Sequence, residues 1–398
     1  MRILQLSYKP PYPPVDGGTL AMDSVTQGLL QYGCEVKVLT VCTDKHPFME
    51  DRIPDSYRKA TSIEAVYIDT TIRPLSAMVS LLCGESYHVK RYISNEFDKK
   101  LTAILKGGDF DIVHVESIFL TPYIETVRKY SAAKIVLRAH NVEHRIWEQL
   151  SKGEKNFFKG RYLKHLALAL EHYEREHVNQ YDGVVCITEL DAQTFKEMGC
   201  RKPVISVPFA VKPSSVPKDG EVEPMSLFHI GSMDWKPNVE AIDWFLGSVW
   251  PMLHREIPSL ILYLAGRRMP QRLLDYAGDG VTVVGEVEDA GAFMAGKTLN
   301  IVPLRSGSGI RVKILEAMAM GKPVVATTVA ARGIEYTDGK DILIADTPEM
   351  FVKQIKHCLC DAGVAGTIGE EAAKLIRCKY NIDNQTERIV GFYQQILK

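Results

Sequence analysis

The hydrophobic and polar positions of this chain follow two alternating patterns. Short apolar runs, typical of buried strands, are separated by segments in which apolar residues recur every three or four positions, as they do in helices. In the first half the apolar runs are residues 3–6, 35–41, 63–67, 111–115, 134–137, 183–187 and 203–207. Strands that alternate with helices in this way predict a parallel sheet covered on both faces, and therefore an α/β fold.

The same pattern begins again after a segment with the composition of a linker. Residues 212–224, KPSSVPKDGEVEP, are rich in proline, serine and charged residues, as flexible connections are. Further apolar runs follow at residues 225–230, 260–264, 281–284, 299–303, 323–325 and 342–345. We therefore predict two doubly wound, Rossmann-like domains, an N-terminal one over residues 1–211 and a C-terminal one over residues 222–383.

Charge and cysteine content argue against a nucleic-acid-binding protein and against a zinc or redox motif. The chain is 46% hydrophobic and 24% charged with a net charge of -1, so it has no overall positive field that would attract nucleic acid. None of its eight cysteines has CxxC spacing, and we predict reduced thiols in a cytoplasmic protein. No cluster of histidine, cysteine or acidic residues has metal-ligand spacing, so no metal site is predicted.

The strongest chemical signal lies in residues 305–325, RSGSGIRVKILEAMAMGKPVV. Two glycines interrupt the preceding apolar run, and helical spacing begins at Ile310. A glycine-rich turn that opens a helix at the carboxyl end of a parallel strand presents unpaired N–H groups to an anion, and the helix dipole adds to the attraction. This stretch therefore predicts an anion site.

Charged residues surround the predicted turn. Arg311 and Lys313 add positive charge, and Glu316 lies where a carboxylate can accept two hydrogen bonds from a ribose diol. The predicted phosphate donors are the backbone N–H groups of Ser308, Gly309 and Ile310. Together these residues indicate a cradle for a nucleotide diphosphate with a ribose clamp. A helix with surface charges and a flexible first turn is the alternative.

The segment GSGIRVKILEAMAMGKPVVAT resembles the donor-site motif of retaining family-four glycosyltransferases, also known as glycosyl transferases group 1, which have the GT-B fold. The resemblance extends over nearly the whole chain and is strongest over residues 226–346. It implies two Rossmann-like domains that face each other across a cleft, with residues 384–398 forming a helix that packs back on the first domain. The family usually carries two glutamates eight residues apart. Glu316 matches the second, and Ser308 replaces the first, which contacts the donor sugar.

The resemblance also implies roles in the first half of the chain. Gly17 and Gly18 would lie against the donor phosphates and the acceptor, whereas their spacing alone fits a plain tight turn equally well. Thr19 or Asp23 is expected to cap or start the helix that follows. His140, at the carboxyl end of a predicted strand, would approach the transferred sugar, and a structural hydrogen-bonding role is the alternative.

In the second half, the resemblance implies that the turn beginning at Gly231 carries Lys236 to the donor phosphates. Ser232 stands where family members often have an arginine. Gly285 and Glu286 would lie beside the nucleotide base. The predicted catalytic residues are therefore His140, Lys236 and Arg311.

Residues 151–177 combine basic and aromatic side chains. Such a segment fits docking on an anionic membrane surface. A helix that faces the core and has a solvated basic first turn is the alternative, and it is the interpretation that charge patterning favours.

We therefore expect a retaining glycosyltransferase of hexosyltransferase type that moves a sugar from a nucleotide-diphosphate donor to a carbohydrate or lipid-linked hydroxyl acceptor. The expected setting is synthesis of cell-surface polysaccharide or glycolipid, in the cytoplasm, with peripheral contact to the inner membrane surface. No cofactor and no metal are expected, because cations and the helix dipole stabilise the leaving diphosphate. A nucleotide-sugar epimerase of the same fold and a non-catalytic nucleotide-sugar-binding partner remain as alternatives.

Overall fold

The computed structural model describes residues 1–71, 86–154, 156–211, 222–276, 280–307 and 309–398. The chain divides into two compact units. The first comprises Met1–Ala210 and Ile382–Lys398, and the second comprises Val211–Asn381. Ser308 and most of the predicted linker lie outside the described residues.

The first unit is built on a seven-stranded sheet in which all neighbouring strands are parallel. Its strands are β1 (Arg2–Ser7), β2 (Glu35–Cys42), β3 (Glu64–Tyr67), β4 (Ile112–Glu116), β5 (Lys134–Ala139), β6 (Gly183–Cys186) and β7 (Val204–Ser206). Their order across the sheet is β3-β2-β1-β4-β5-β6-β7. The order reverses between β1 and β4, which is where open α/β sheets bind ligands at the carboxyl ends of their strands.

Helices connect these strands and cover the sheet. They are α1 (Gly17–Gln31), α2 (Asp55–Thr61), α3 (Tyr87–Lys90), α4 (Asn95–Gly107), α5 (Ile124–Tyr130), α6 (Glu143–Gly153), α7 (Phe157–His177) and α8 (Glu189–Glu197). Short 3₁₀ turns lie at Glu50–Arg52, Ile118–Tyr123 and Val178–Gln180. The strand β1 shows why both faces are covered. Leu4 and Leu6 belong to one buried cluster and Ile3 to another, because successive side chains of a strand point to opposite faces.

The second unit contains a six-stranded parallel sheet. Its strands are β8 (Ser226–Ile230), β9 (Ile261–Ala265), β10 (Val281–Gly285), β11 (Leu299–Val302), β12 (Val324–Ala326) and β13 (Leu343–Ile344), in the order β10-β9-β8-β11-β12-β13. This order is the same as that of the first six strands of the first unit, so the switch point lies between β8 and β11. The prediction of two doubly wound α/β domains is confirmed.

The helices of the second unit are α9 (Lys236–Trp244), α10 (Trp250–Glu256), α11 (Gln271–Leu274), α12 (Ala290–Ala295), α13 (Val312–Ala319), α14 (Thr328–Ala331), α15 (Pro348–Cys360) and α16 (Ala362–Lys379), with a π-helical segment, Phe245–Val249, between α9 and α10. Two glycines bring α13 and α16 together. A Cβ added at Gly369 would lie 2.0 Å from the carbonyl oxygen of Gly321, so any larger residue at position 369 would force these elements apart.

The last helix, α17 (Ile382–Leu397), belongs to the first unit. It buries Ile389, Phe392 and Tyr393 in the cluster that also contains Leu29 of α1. Within the described ranges, no helix of this protein combines the length and the apolar character needed to cross a bilayer.

Candidate active site

The glycine-rich turn lies at the switch point of the second sheet. It follows β11 and leads into α13, which begins at Val312, two residues later than predicted. The delay arises because Arg311 has extended backbone angles and serves as the N-cap residue, without a side-chain cap. Gly307 and Gly309 have positive φ angles of 106° and 81°, which favour glycine. The first N–H groups of α13 are thus left without a side-chain cap at a position that suits an anion.

Arg311 packs tightly into this turn. Its Nη1 donates to the carbonyl oxygen of Gly309 (2.8 Å), and its guanidinium lies 5.0 Å from the ring centroid of Trp235. A Cβ at Gly307 would lie 2.7 Å from Cζ2 of Trp235 and 3.0 Å from Nη2 of Arg311, so glycine permits the close packing. Burial, with the nearby Arg332, lowers the pKa of Arg311 to about 10, and the group remains charged at neutral pH.

Lys313 supplies a second cation from the first turn of α13. Its Nζ donates to Oδ1 of Asn238 (2.8 Å) and lies 3.3 Å from Nε2 of His229. Nδ1 of His229 is 3.0 Å from the carbonyl oxygen of Ile301 and must donate to it, which leaves Nε2 to accept from the lysine. Both partners of the ammonium are therefore uncharged, since burial also lowers the pKa of His229 well below its usual value.

The charge of Lys313 is not balanced by an ion pair with any described residue. Burial, followed by the repulsion of Arg311, lowers the pKa of Lys313 to about 7. A bound diphosphate would supply the missing negative charge and raise that pKa again.

Two glycines allow the backbone of the turn that begins at Gly231 to approach the ammonium of Lys313 closely. A Cβ at Gly231 would lie 2.7 Å from Nζ of Lys313, and a Cβ at Gly266 would lie 1.8 Å from the carbonyl oxygen of Gly231. Asn238 ties the turn to the lysine, because its Nδ2 donates to the carbonyl oxygen of Ser232 (2.8 Å). The turn beginning at Gly231 therefore packs directly against Lys313.

Lys236 takes a different position from Lys313. Its side chain is 83% exposed and pairs with Glu240 (3.2 Å), which also accepts from Oγ of Ser306 at 3.3 Å. Lys236 therefore stands at the rim of the turn in solvent. The cation that packs against Gly231 is Lys313, whose side chain is half-buried.

Glu316 lies three residues beyond Lys313 and so on the same side of α13. Its side chain is half-buried, burial raises its pKa, and no hydrogen bond or ion pair to it is found among the described residues. An unpaired carboxylate on the cation-bearing face of the helix is what the predicted ribose clamp requires.

The remaining donor candidates lie near this edge of the sheet or outside the described residues. Gly285 ends β10 with a φ of 76°, its carbonyl oxygen accepts from the N–H of Gly266 (2.7 Å), and Glu286 after it is exposed. Ile310 is half-buried. Ser308 is not described.

In the first unit, Gly17 and Gly18 form the first turn of α1. The expectation that Thr19 or Asp23 caps this helix is wrong, because Asp16 is the N-cap and exchanges hydrogen bonds with Thr19 in a capping box. Asp16 also accepts from Nζ of Lys9 at 2.7 Å and 2.8 Å. A Cβ at Gly18 would lie 2.9 Å from that Nζ. The glycine therefore allows the side chain of Lys9 to pack closely against the first turn of α1.

A buried carboxylate holds His140. Glu116, at the end of β4, is fully buried and accepts from four side chains. These donors are Gln5 (3.1 Å), His114 (3.0 Å), Arg138 (3.5 Å) and His140 (2.7 Å). Burial opposes ionisation of Glu116, but Arg138, His114 and His140 hold its pKa well below the usual value. Glu116 is therefore a carboxylate and only accepts.

This arrangement fixes the tautomer of His140. Its Nε2 must carry the proton that is donated to Glu116, and burial lowers the pKa of the ring, although Glu116 opposes the shift. The neutral ring then has Nδ1 as an acceptor. The ring lies 6.0 Å from that of Tyr8, edge to face.

Two acidic residues lie at the start of α6, the helix that follows His140: Glu143 on that helix and Glu174 on α7. Glu174 of α7 accepts from the N–H groups of Glu143 (2.9 Å) and His144 (3.2 Å) and from Nδ1 of His144 (2.5 Å), so it caps the start of α6. Burial, together with Glu174, raises the pKa of Glu143 to about 8. Glu143 is therefore protonated at neutral pH.

Sequence reasoning missed His229, Asn238 and Glu116. His229 and Glu116 lie in or beside apolar runs, Asn238 lies on the first turn of α9, and all three are buried. His229 at the end of the run MSLFHI was the most visible signal, because a polar residue in a buried strand needs a partner.

Two protein-family models match this chain and show the family to which it belongs. A model described as Glycosyltransferase Family 4 matches residues 15–214, half of the chain, and a model described as Glycosyl transferases group 1 matches residues 224–361. The chain belongs to the family-four glycosyltransferases, as the resemblance implied. It is a glycosyltransferase of the GT-B type.

Individual relatives are distant. A Klebsiella pneumoniae protein named "Uncharacterized 44.6 kDa protein in cps region" is 24% identical over 268 residues, 64% of this chain and 67% of that protein. Sucrose-phosphate synthase from Thermosynechococcus elongatus has a TM-score of 0.70 at 15% identity, covering 100% of this chain and 99% of its own. Anabaena HepE in complex with UDP has a TM-score of 0.68 at 13% identity, covering 99% and 100%. These structures share the fold.

Proposed function

We propose that this protein is a retaining hexosyltransferase that takes its sugar from a nucleoside-diphosphate donor. The observation that carries the proposal is the ammonium of Lys313, a half-buried side chain at the start of α13, without an acidic partner among the described residues and beside Arg311. Glu316 on the same helix supports a ribose contact. Two cations, a helix N-terminus and a free carboxylate match the charges of a nucleoside diphosphate.

The chemistry follows from the leaving group. The bond between the sugar C1 and the diphosphate oxygen breaks, and the acceptor oxygen forms its bond to C1 on the same face. The acceptor proton passes to an oxygen of the departing phosphate. Negative charge grows on the diphosphate during this step, and cations already fixed at that position stabilise it without reorganisation. Arg311 and Lys313 carry this role in the proposal, and no metal is invoked.

His140 is proposed to orient the transferred sugar. Because Nε2 donates to Glu116, its free Nδ1 accepts rather than donates, and a sugar hydroxyl is a suitable donor. Lys236 at the exposed rim is proposed to contact the donor phosphates less directly than Lys313 does.

The donor and the biological setting are drawn from the relatives. Anabaena HepE has been solved with UDP and with UDP-glucose, which supports a UDP-hexose as the first donor to test. The Klebsiella pneumoniae relative is named for the cps region, which supports a role in cell-surface polysaccharide or glycolipid synthesis. The acceptor is then a carbohydrate or lipid-linked hydroxyl, and the site of action the cytoplasmic face of the membrane.

The test is turnover of a panel of nucleotide sugars with an acceptor extract, in buffer containing EDTA. Transfer of the sugar with retained anomeric configuration, read by NMR of the product, is the expected result. Isomerisation of the donor without an acceptor would show an epimerase, and binding without turnover would show a non-catalytic binder. Activity that requires a divalent metal would overturn the metal-independent mechanism.

A further inference from the structure

An unusual surface lies at the start of α7. Phe157 and Phe158 are 74% and 81% exposed, and their rings contact each other edge to face at 5.7 Å. One turn further, Tyr162 is 41% exposed and Arg161 and Lys164 are exposed. We call these five residues the basic–aromatic face. Adjacent exposed phenylalanines are unfavourable in water, and they mark a contact surface when they occur together with other apolar side chains.

The helix changes character along its length. None of residues 157–165 is buried, whereas Leu166, Ala167 and Leu170 pack into the domain. The interpretation favoured from sequence is a core-facing helix with a solvated basic first turn. In the structure the solvated part extends beyond one turn, over residues 157–165. The first half presents its aromatic residues to solvent.

Positive charge is concentrated at the same place. Residues 151–168 contain five lysines or arginines and one glutamate, in a chain whose net charge is -1. Lys152 and Lys159 pair with Glu148 and Glu154. Arg161 and Lys164 have no acidic partner in the described part of the chain, so their charge is available to an outside anion.

We propose that the basic–aromatic face docks on the surface of an anionic phospholipid bilayer. Aromatic rings on the first turn would enter the boundary between headgroups and acyl chains, and the free cations would contact lipid phosphates. The face is short and carries both apolar and cationic groups on one helix end, which fits a planar anionic interface. This inference goes beyond the transferase activity and does not depend on it.

The test is sedimentation of the full-length protein with vesicles. Vesicles containing phosphatidylglycerol should bind the protein, and pure phosphatidylcholine vesicles should bind it weakly. Phe157→Ser with Phe158→Ser should weaken binding at least about tenfold through lost apolar insertion. Arg161→Gln with Lys164→Gln should weaken it roughly thirtyfold at low salt and less at high salt, given about 1 kcal/mol for each cation.

A matched control removes equal charge elsewhere on the first unit. Lys99→Gln with Lys196→Gln, both exposed, should leave vesicle binding within about twofold. Circular dichroism and thermal melting confirm that each variant folds. The proposal is overturned if the wild type does not bind anionic vesicles. It is equally overturned if the phenylalanine variant and the cation variant both bind these vesicles as tightly as the wild type does. It is also overturned if the wild type sediments as a dimer and the phenylalanine variant as a monomer, because the face would then bind a second copy of this chain.

Discussion

Replacing Lys313 with methionine removes one charge from the cradle and keeps the length of the side chain. Among the described residues, the ammonium hydrogen-bonds to two neutral side chains, Asn238 and His229, and Arg311 repels it. The diphosphate is therefore its expected counter-charge. Loss of the charge should act on the donor and on the transition state, rather than on an internal ion pair.

The magnitude follows from Coulomb's law. Two unit charges about 4 Å apart at an effective dielectric constant of about 20 attract each other by about 4 kcal/mol. With a pKa of about 7, Lys313 is half-protonated at neutral pH in the free protein, and completing its protonation costs about 0.4 kcal/mol. Allowing for solvent screening, we expect a loss of about 2–4 kcal/mol, or roughly 30- to 1000-fold in kcat/KM.

Initial-rate kinetics with the identified donor measure this effect. Because charge on the diphosphate grows towards the transition state, kcat should fall by a larger factor than KM rises. Lys353→Gln, an exposed lysine on α15, is the matched control and should change kcat/KM by less than about twofold. If Lys313→Met kept kcat/KM within about threefold of the wild type, the assignment of the cradle would be wrong.

The same lysine gives a pH dependence with a definite sign. Its pKa of about 7 in the free protein rises when the diphosphate binds, so binding takes up a proton above pH 7. The Kd of UDP should then increase by up to about tenfold per pH unit as the pH rises from about 7. In Lys313→Met that slope should vanish. An equal slope in both proteins would assign the titration to another group.

Three further changes test separate parts of the account. Glu316→Ala should weaken nucleoside-diphosphate binding by about 1.5–3 kcal/mol, measured by calorimetry, because the ribose loses a charged hydrogen-bond partner. Glu116→Gln should lower the free energy of unfolding by about 3–5 kcal/mol in urea titrations, because a buried arginine loses its carboxylate. Gly369→Ala should destabilise by about 1–3 kcal/mol through the clash with Gly321, whereas Gly366→Ala on the same helix, with no atom within 4 Å of its added Cβ, should be neutral or stabilising.

Each of these has an outcome that contradicts it. Unchanged affinity of Glu316→Ala for whichever nucleotide binds the wild type would remove the ribose clamp. The control for Glu116 is Glu171→Gln, which removes a surface ion pair with Arg175 and should cost less than about 1 kcal/mol. Equal stability of the two glutamine variants would show that the buried network is not held by the carboxylate. Equal melting temperatures of the two alanine variants would refute the close helix contact.

The parts of the fold that sequence predicted are those that depend on local pattern. Apolar runs located the strands within one or two residues, as at 299–303 against Leu299–Val302, because a strand buried on both faces is mostly apolar, here with Asn300 as the polar exception. The glycine-rich turn was likewise visible, since the positive φ angles of Gly307 and Gly309 favour that residue type.

The parts that sequence missed depend on contacts between distant residues. Lys313 meets Asn238 across 75 positions and His229 across 84, and His114 accepts from Tyr393 across 279. No pattern within a short stretch of sequence reveals which residues form such pairs. The N-cap of α1 was predicted at the wrong residue for a local reason. Asp16 is followed by two glycines, which are poor helix formers and do not indicate the start of a helix.

The most direct test of the central claim is a calorimetric titration of the wild-type protein with UDP, GDP and ADP in buffer containing EDTA. At least one of them should bind without metal, and Lys313→Met should bind the same nucleotide at least about thirtyfold more weakly. Failure of all three to bind, or binding only after a divalent metal is added, would contradict that claim.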